Sequence, residues 1–183
     1  HHRDLHLSIR RQRQMCIRDR LKEEFVSQWG VMGSQWGINR TMAQIHALLM
    51  TSPEPMSTDE VMEELGISRG NAHSNLKELV NWGLLRIVTK KGERKEYFEA
   101  ELDVWEIFRR IVTERKKREI DPALKLLEGC LSESIEMKSA GGRAFNEQMR
   151  SLEEFVRFAS KMSDRVAAMP HGKAMQLAMK LFG

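Results

Sequence analysis

Residues 57–95, STDEVMEELGISRGNAHSNLKELVNWGLLRIVTKKGERK, decide the fold. Ser57 stands where it can cap a helix, and Glu60, three residues on, completes a capping box. Asp59 and Glu60 place negative charge where a helix dipole is positive. A short helix is therefore expected from about Thr58, with Val61, Met62 and Leu65 at helical spacing. Gly66 supplies its stop, because glycine tolerates the left-handed backbone that closes a helix. Ile67 turns inward and Ser68 caps a second helix, residues 68–81, in which Ala72, Leu76, Leu79 and Val80 form one core-facing stripe. The opposite face carries Arg69, Gly70, Asn71, His73, Ser74 and Lys77, with Asn75 at its margin. Short, hydrogen-bonding side chains near a helix N-terminus suit a helix lying in a DNA major groove, where Arg, Asn, Ser and Lys read base edges and phosphates.

Trp82 and Gly83 end that helix, and residues 84–101 read as a wing. Leu84 to Thr89 is a β-branched run that alternates loosely, Lys90 to Lys95 form a turn, and Tyr97 to Leu102 make a return strand. Lys90, Lys91, Arg94 and Lys95 would meet phosphates or enter a minor groove, each neutralised phosphate adding a salt-dependent increment to affinity. The expected fold is mainly α with a small β-hairpin: a winged helix-turn-helix domain over residues 37–102, followed by a helical dimerisation region over residues 103–183.

Four stretches carry a family resemblance: WGINRTMAQIHALLM (36–50), LGISRGNAHSNLKELVNWGLL (65–85), KKGERKEYFEAE (90–101) and RKKREIDPAL (115–124). With these the chain resembles the GbsR/MarR-type winged-helix transcriptional regulators between Phe25 and Leu127. The resemblance implies a DNA-binding homodimer, more often a repressor, under the control of a small-molecule effector. It points to a branch that senses choline, and tryptophan faces attract quaternary ammonium ions, so Trp29 and Trp36 are the candidate effector residues. The more ordinary reading is that these tryptophans pack on a dimer partner or on the winged helix.

The 183 residues, 41% hydrophobic and 31% charged, suit one core or a small domain with long helices. The net charge of +4 needs dissection, because residues 1–20 hold six arginines against two aspartates and the remainder is balanced. The basic pI is therefore silent about the body of the chain. Locally, Ser68 to Lys95 hold seven cations against two anions, while Glu54 to Gly66 hold five acids and no base. Charge is thus expected to be polarised within one small domain, the basic side facing DNA. Two cysteines, Cys16 and Cys130, suggest neither a disulfide framework nor a metal site and fit a reducing cytoplasm. No apolar run approaches the roughly 20 residues that span a bilayer, and no secretory signal is visible.

Residues 1–20 differ from the rest: RRQRQMCIRDR resembles translated sequencing-adapter read-through, so the segment is read as non-native or disordered, with a basic DNA-binding arm as the alternative. Residues 21–36 form an amphipathic support helix through Leu21, Phe25, Trp29 and Met32, interrupted around Gly30 and Gly33. Ile38 to Met50 is the first helix of the winged domain, in which His46 flanks the core or lies on the surface. Asp103 caps a helix that ends in the charge run ERKKRE (114–119), a solvated face. Asp121 and Pro122 break it, a short helix follows over Ala123 to Leu131, and Met137 to Gly142 is a linker. Phe145, Met149, Leu152, Val156, Ala159, Met162 and Val166 then recur at spacings of three and four, a coiled-coil seam widened by Phe155 and Met169, for which a second copy of the chain is the economical partner. A last short helix runs through Met175, Ala178, Met179 and Phe182.

Ser68, Arg69, Asn71, His73, Ser74, Asn75 and Lys77 are thus the candidate readers of double-stranded DNA, and Lys90, Lys91, Arg94 and Lys95 the source of sequence-independent affinity. A winged helix that recognises another protein without specific DNA binding is the rival reading. An enzyme is disfavoured: the chain shows no glycine-rich phosphate loop, no His/Cys cluster and no nucleophile motif, and no cofactor or metal is expected.

Overall fold

The structure, a computed structural model, describes residues 2–134, 136–137, 139–170 and 172, with side chains from residue 15 onward. The chain divides into two compact units, His1–Leu102 and Asp103–Gly183. The last expected helix, through Met175 and Phe182, lies outside the described residues.

In the first unit, helices α1 (His2–Gln35), α2 (Arg40–Thr51), α3 (Thr58–Leu65) and α4 (Arg69–Asn81) accompany strands β1 (Met56–Ser57), β2 (Leu85–Thr89) and β3 (Glu96–Ala100). The strands form one antiparallel sheet in the order β1-β3-β2. The hairpin register sets Leu85 opposite Ala100 and Thr89 opposite Glu96, and β1 joins the far edge with Met56 opposite Phe98. The core is built from Ile45, Leu48, Val61, Leu76, Leu79 and Phe98, all nearly inaccessible, so the expected stripes of α3 and α4 face it. Gly66 ends α3 in the left-handed region at φ 61°. Gly83 at φ 72° and Leu84 end α4 by donating to the carbonyls of Val80 and Leu79, which satisfies two otherwise orphaned acceptors.

Residues 2–20 form one continuous helix with residues 21–35. Two expectations for this unit are corrected. That helix is uninterrupted at Gly30 and Gly33, which serve a close helix crossing: a Cβ on Gly33 would stand 2.5 Å from the Cβ of Ala43, and one on Gly30 would stand 2.5 Å from Gln44 Cγ. The first winged-domain helix starts later than Ile38, because the Asn39 side chain accepts from the Met42 backbone N–H at 3.1 Å and so sets the N-cap.

The second unit holds α5 (Val104–Arg115), α6 (Asp121–Ser134) and α7 (Ala140–Ala167). Asp103 caps α5 by accepting from the N–H groups of Trp105 and Glu106. Asp121 and Pro122 do not break the chain, contrary to expectation. Lys116–Ile120 form a π-helical turn, in which the Asp121 N–H reaches back to the Lys116 carbonyl and leads directly into α6. The wider turn accommodates a proline, which lacks an N–H and whose ring would press on the carbonyl four residues back. Within the charge run, Lys116 pairs with Asp121 and Asp164, while Lys117 and Arg118 pair with Glu114. The expected linker is also shorter. Ser139 caps α7 through the Gly142 N–H at 3.1 Å, and Gly142 is helical, packed so that a Cβ would meet Met137 at 2.5 Å. Asn146 binds the Ser134 carbonyl and hydroxyl at 2.7 Å each, a polar latch between α6 and α7.

The single seam expected on α7 divides into two faces. Met149, Val156 and the buried Ser160 turn inward in this unit, while Phe145, Leu152 and Met162 are exposed together with Phe155 and Phe158, at 68% and 61% accessibility. Among the described residues of this unit no apolar side chain is fully buried.

His46 corrects a further expectation, since it is 4% exposed and its Nε2 has no hydrogen-bond partner among the described residues. Burial pushes its imidazole down to about 4. The unfolded chain protonates near 6.5, so between the two values it binds more protons than the folded chain, and stability falls as pH drops through that window. The full loss is about 3 kcal/mol. His46→Leu is expected to abolish this acid sensitivity; urea denaturation at about pH 7 and about pH 4.5 checks it, and an unchanged pH slope in the variant would contradict the assignment.

Candidate nucleic-acid interface

The interface is assembled by the joint between β1 and α3. The Ser57 hydroxyl accepts from the Glu60 N–H at 3.4 Å, and the Glu60 carboxylate accepts from the Ser57 N–H at 2.6 Å. The Ser57 N–H and, after it, the Ser57 hydroxyl, which donates to the same carboxylate at 2.7 Å, hold the Glu60 carboxyl below the usual carboxylate range. The expected capping box is therefore present, and it orients α3 so that the turn at Gly66 delivers α4 beside the hairpin.

On α4, Ser68 caps the helix by accepting from the Asn71 N–H at 3.4 Å. Ser68, Arg69, Asn71, His73, Ser74 and Lys77 are exposed along one face. Asn75 is half-buried and donates to the Asn71 carbonyl at 2.8 Å and to its side-chain oxygen at 2.7 Å. That bond engages the acceptor end of the Asn71 amide, so its donor end is the one to present to a ligand.

The wing cations separate into two kinds. Lys91 and Arg94 lie exposed around the turn, where Gly92 adopts φ 88° and the Glu93 N–H donates to the Lys90 carbonyl at 3.1 Å. Lys90 instead lies over the Tyr97 ring, 4.1 Å from its centroid, and the Tyr97 hydroxyl donates to the Glu93 carboxylate. Lys95 is bound at 3.4 Å to Asp59, which also accepts from Arg69. Asp59 is the residue that sequence reasoning missed: it was counted as a favourable charge at the start of α3, and the acidic segment was expected to stand apart from the basic face. No local pattern links Asp59 to Lys95, 36 positions away. Its carboxyl is held below the usual range, first by the Lys95 hydrogen bond and then by the charge of Arg69.

Residues 36–95 match the MarR family model. The observed α3, α4, β2 and the wing turn lie inside the matched segment. Over 94 residues the chain is 21% identical to a protein of Bacillus subtilis (strain 168) provisionally named HTH-type transcriptional regulator YvaV, covering 51% of this chain. The match spans about half (53%) of the length of that relative. A solved structure described as that of a transcriptional regulator superimposes with a TM-score of 0.63 at 18% identity, over 85% of this chain and 98% of the other, a likeness of fold.

Trp29 and Trp36 meet edge to face, with centroids 6.1 Å apart, and Phe25 lies 5.4 Å from Trp29. Two cavities open along α1, of about 540 and 400 Å³, and neither is lined by these tryptophans: one has Lys22, Val26, Gln44 and Leu48 in its wall, the other Leu21, Phe25 and Pro53. Among the described residues, no group of three or more His, Cys, Asp or Glu is arranged to hold a metal ion, and no helix is long and apolar enough to cross a membrane.

Tyr97, the one tyrosine of the chain, reports on the wing. The hydrogen bond to Glu93 pushes its phenol up to about 12. Ultraviolet titration is expected to find little phenolate at about pH 11 in the folded chain, whereas Glu93→Gln should ionise nearer the ordinary value of about 10. Identical titrations of the two proteins would show that the wing is not closed by this bond.

Proposed function

We propose that the chain is a cytoplasmic, homodimeric transcription regulator of the GbsR-like branch, a repressor that reads a palindromic operator with α4 and the wing. The observation that carries the reading is the exposed face of α4 in a MarR-type domain, standing beside a hairpin whose tip presents Lys91 and Arg94. In this reading Arg69, Asn71, His73 and Ser74 touch base edges, with Ser68, Asn75 and Lys77 flanking them. Lys90, Lys91, Arg94 and Lys95 supply affinity for any sequence. Two copies of α4 enter successive major grooves about 34 Å apart. The chain acts by binding and not by catalysis.

In this reading residues 21–36 support the reading domain and the region 103–183 brings two copies together. Support for the dimer comes from the second unit, which leaves Phe145, Leu152, Phe155 and Phe158 exposed and buries no apolar side chain fully among its described residues. Helices with so little sealed core need an apolar partner, and the continuous outward face of α7 offers one to its own copy. A small effector, with Trp29 and Trp36 as its candidate contacts, would act by favouring one spacing of the two reading helices. A coupling of 1–3 kcal/mol would change DNA affinity by roughly 5- to 150-fold.

A gel-shift titration on the DNA upstream of its own gene, against random competitor at fixed salt, tests the reading; binding at least about a thousandfold tighter to one sequence establishes a specific regulator. Arg69→Ala is expected to cost about 1–3 kcal/mol and relax specificity, whereas Lys91→Ala should weaken all sequences alike and flatten the salt dependence by about one unit of slope. Equal losses on operator and random DNA for both variants would refute this division of labour. For the dimer, Phe155→Glu combined with Phe158→Glu is expected to shift the mass by light scattering from two chains to one, and an unaltered dimer would place the interface elsewhere.

A further inference from the structure

We propose that Asp59 is an internal counter-ion of the reading face: one carboxylate that holds Arg69 of α4 and Lys95 of the wing and thereby suppresses binding to DNA of arbitrary sequence. The inference rests on the DNA-binding reading above and adds to it a specificity-determining residue that need not touch DNA.

Asp59 is the second residue of α3, and its oxygens are divided between two elements: Oδ1 accepts from Arg69 Nη2, at the first position of α4, and Oδ2 from Lys95 Nζ at 3.4 Å, just before β3. All three side chains are exposed, Asp59 the least at 45%, so the cluster lies on the surface a duplex would approach. Its neighbour Glu60 is committed to Ser57 and caps the helix. Asp59 has no part in that cap, and its charge is spent on the two cations.

A carboxylate and a phosphate offer a guanidinium the same kind of paired oxygen acceptors. A phosphate approaching Arg69 or Lys95 must therefore displace Asp59, and it returns about as much as it takes away, since both contacts are exposed ion pairs of small worth. Random DNA therefore gains less from Arg69 and Lys95 than from the unclamped wing cations Lys91 and Arg94. A guanine edge, read bidentately by an arginine in the groove, returns more than the carboxylate gave. Asp59 thus weakens unspecific binding more than operator binding, and it couples the wing to α4 through a single group.

The test is Asp59→Asn, which removes the charge, keeps the shape and leaves the Ser57–Glu60 cap intact. Fluorescence anisotropy of a labelled random-sequence duplex, between about 50 and 200 mM salt, is expected to show about 3- to 10-fold tighter binding at the low-salt end and a salt slope steeper by about one. The same change on an Arg69→Gln, Lys95→Gln background should have less than half that effect, and this comparison remains informative even where the single variant loses stability. Equal affinity and slope for Asp59→Asn and the parent overturn the counter-ion role while leaving DNA binding standing. An equally large effect on the double-variant background overturns it too, by making Asp59 a general surface charge. Failure of the parent chain to bind duplex at all would remove the DNA-binding reading and the inference with it.

Discussion

Ser57 belongs to two structures at once, and the geometry of the reading face depends on that double membership. It is the last residue of β1, paired across the sheet with Tyr97, and it is the N-cap of α3, with its own N–H held by Glu60. Strand and helix are therefore joined with no loop between them, at a residue that is 5% exposed. The joint fixes the direction of α3 relative to β3, and hence relative to the wing that β3 closes. Two residues on, Asp59 is brought within reach of Lys95, and eight-residue α3 with its glycine stop carries Arg69 to the same point. Removing the cap would free the first turn of α3, at a typical cost of about 1 kcal/mol, and would also loosen the carboxylate that ties Arg69 of α4 to Lys95 of the wing.

What could be read from the sequence was whatever acts over three or four residues. The capping box, the left-handed Gly66, the Ser68 cap and the Gly83 terminus each involve a donor and acceptor within one helical turn, so residue type and spacing suffice. The core stripe of α4 was legible for the same reason. Elements defined across longer separations were not. A two-residue strand such as β1 has no periodicity of its own; it exists because Phe98 and Tyr97 stand opposite. Gly30 and Gly33 looked like breaks because glycine is a poor helix former, whereas their role is to admit Ala43 and Gln44 of another helix. Pro122 looked like a terminus because the expected geometry was an α-helix, and a single wider turn removes the conflict. The candidate readers were named from their types, but their partners were invisible: nothing local foretells that Asn75 engages Asn71, or that Asp59 engages Arg69 and Lys95.

The second unit shows the same limit from another side. A spacing of three and four identifies an apolar helix without saying how many neighbours it has. Read as one seam, α7 needs one partner; in the structure its apolar residues are shared between an inward face that meets α5 and α6 and an outward face rich in phenylalanine. The inward face is met within the chain, and in the proposed dimer the outward face meets the second copy. The polar Ser134–Asn146 latch and the tight Gly142–Met137 approach fix the inward pairing and its register, so the outward phenylalanines are held on a defined surface and not on a freely turning helix.

The wing cations carry the same lesson into electrostatics, where the count of charges and their availability differ. Four basic residues in six positions promise a strongly cationic tip, yet one lies over an aromatic ring and another is bound to a carboxylate, leaving Lys91 and Arg94 as the residues set out on the turn. In the proposed function this arrangement lowers the general attraction to phosphate that every basic hairpin has. A regulator must find one site among very many others, so a weaker grip on random DNA improves recognition as surely as a stronger grip on the operator does. An acidic residue placed among the readers therefore does not oppose the DNA-binding reading. By neutralising cations that random phosphates would otherwise hold, it shifts the balance toward contacts that only the correct bases can make.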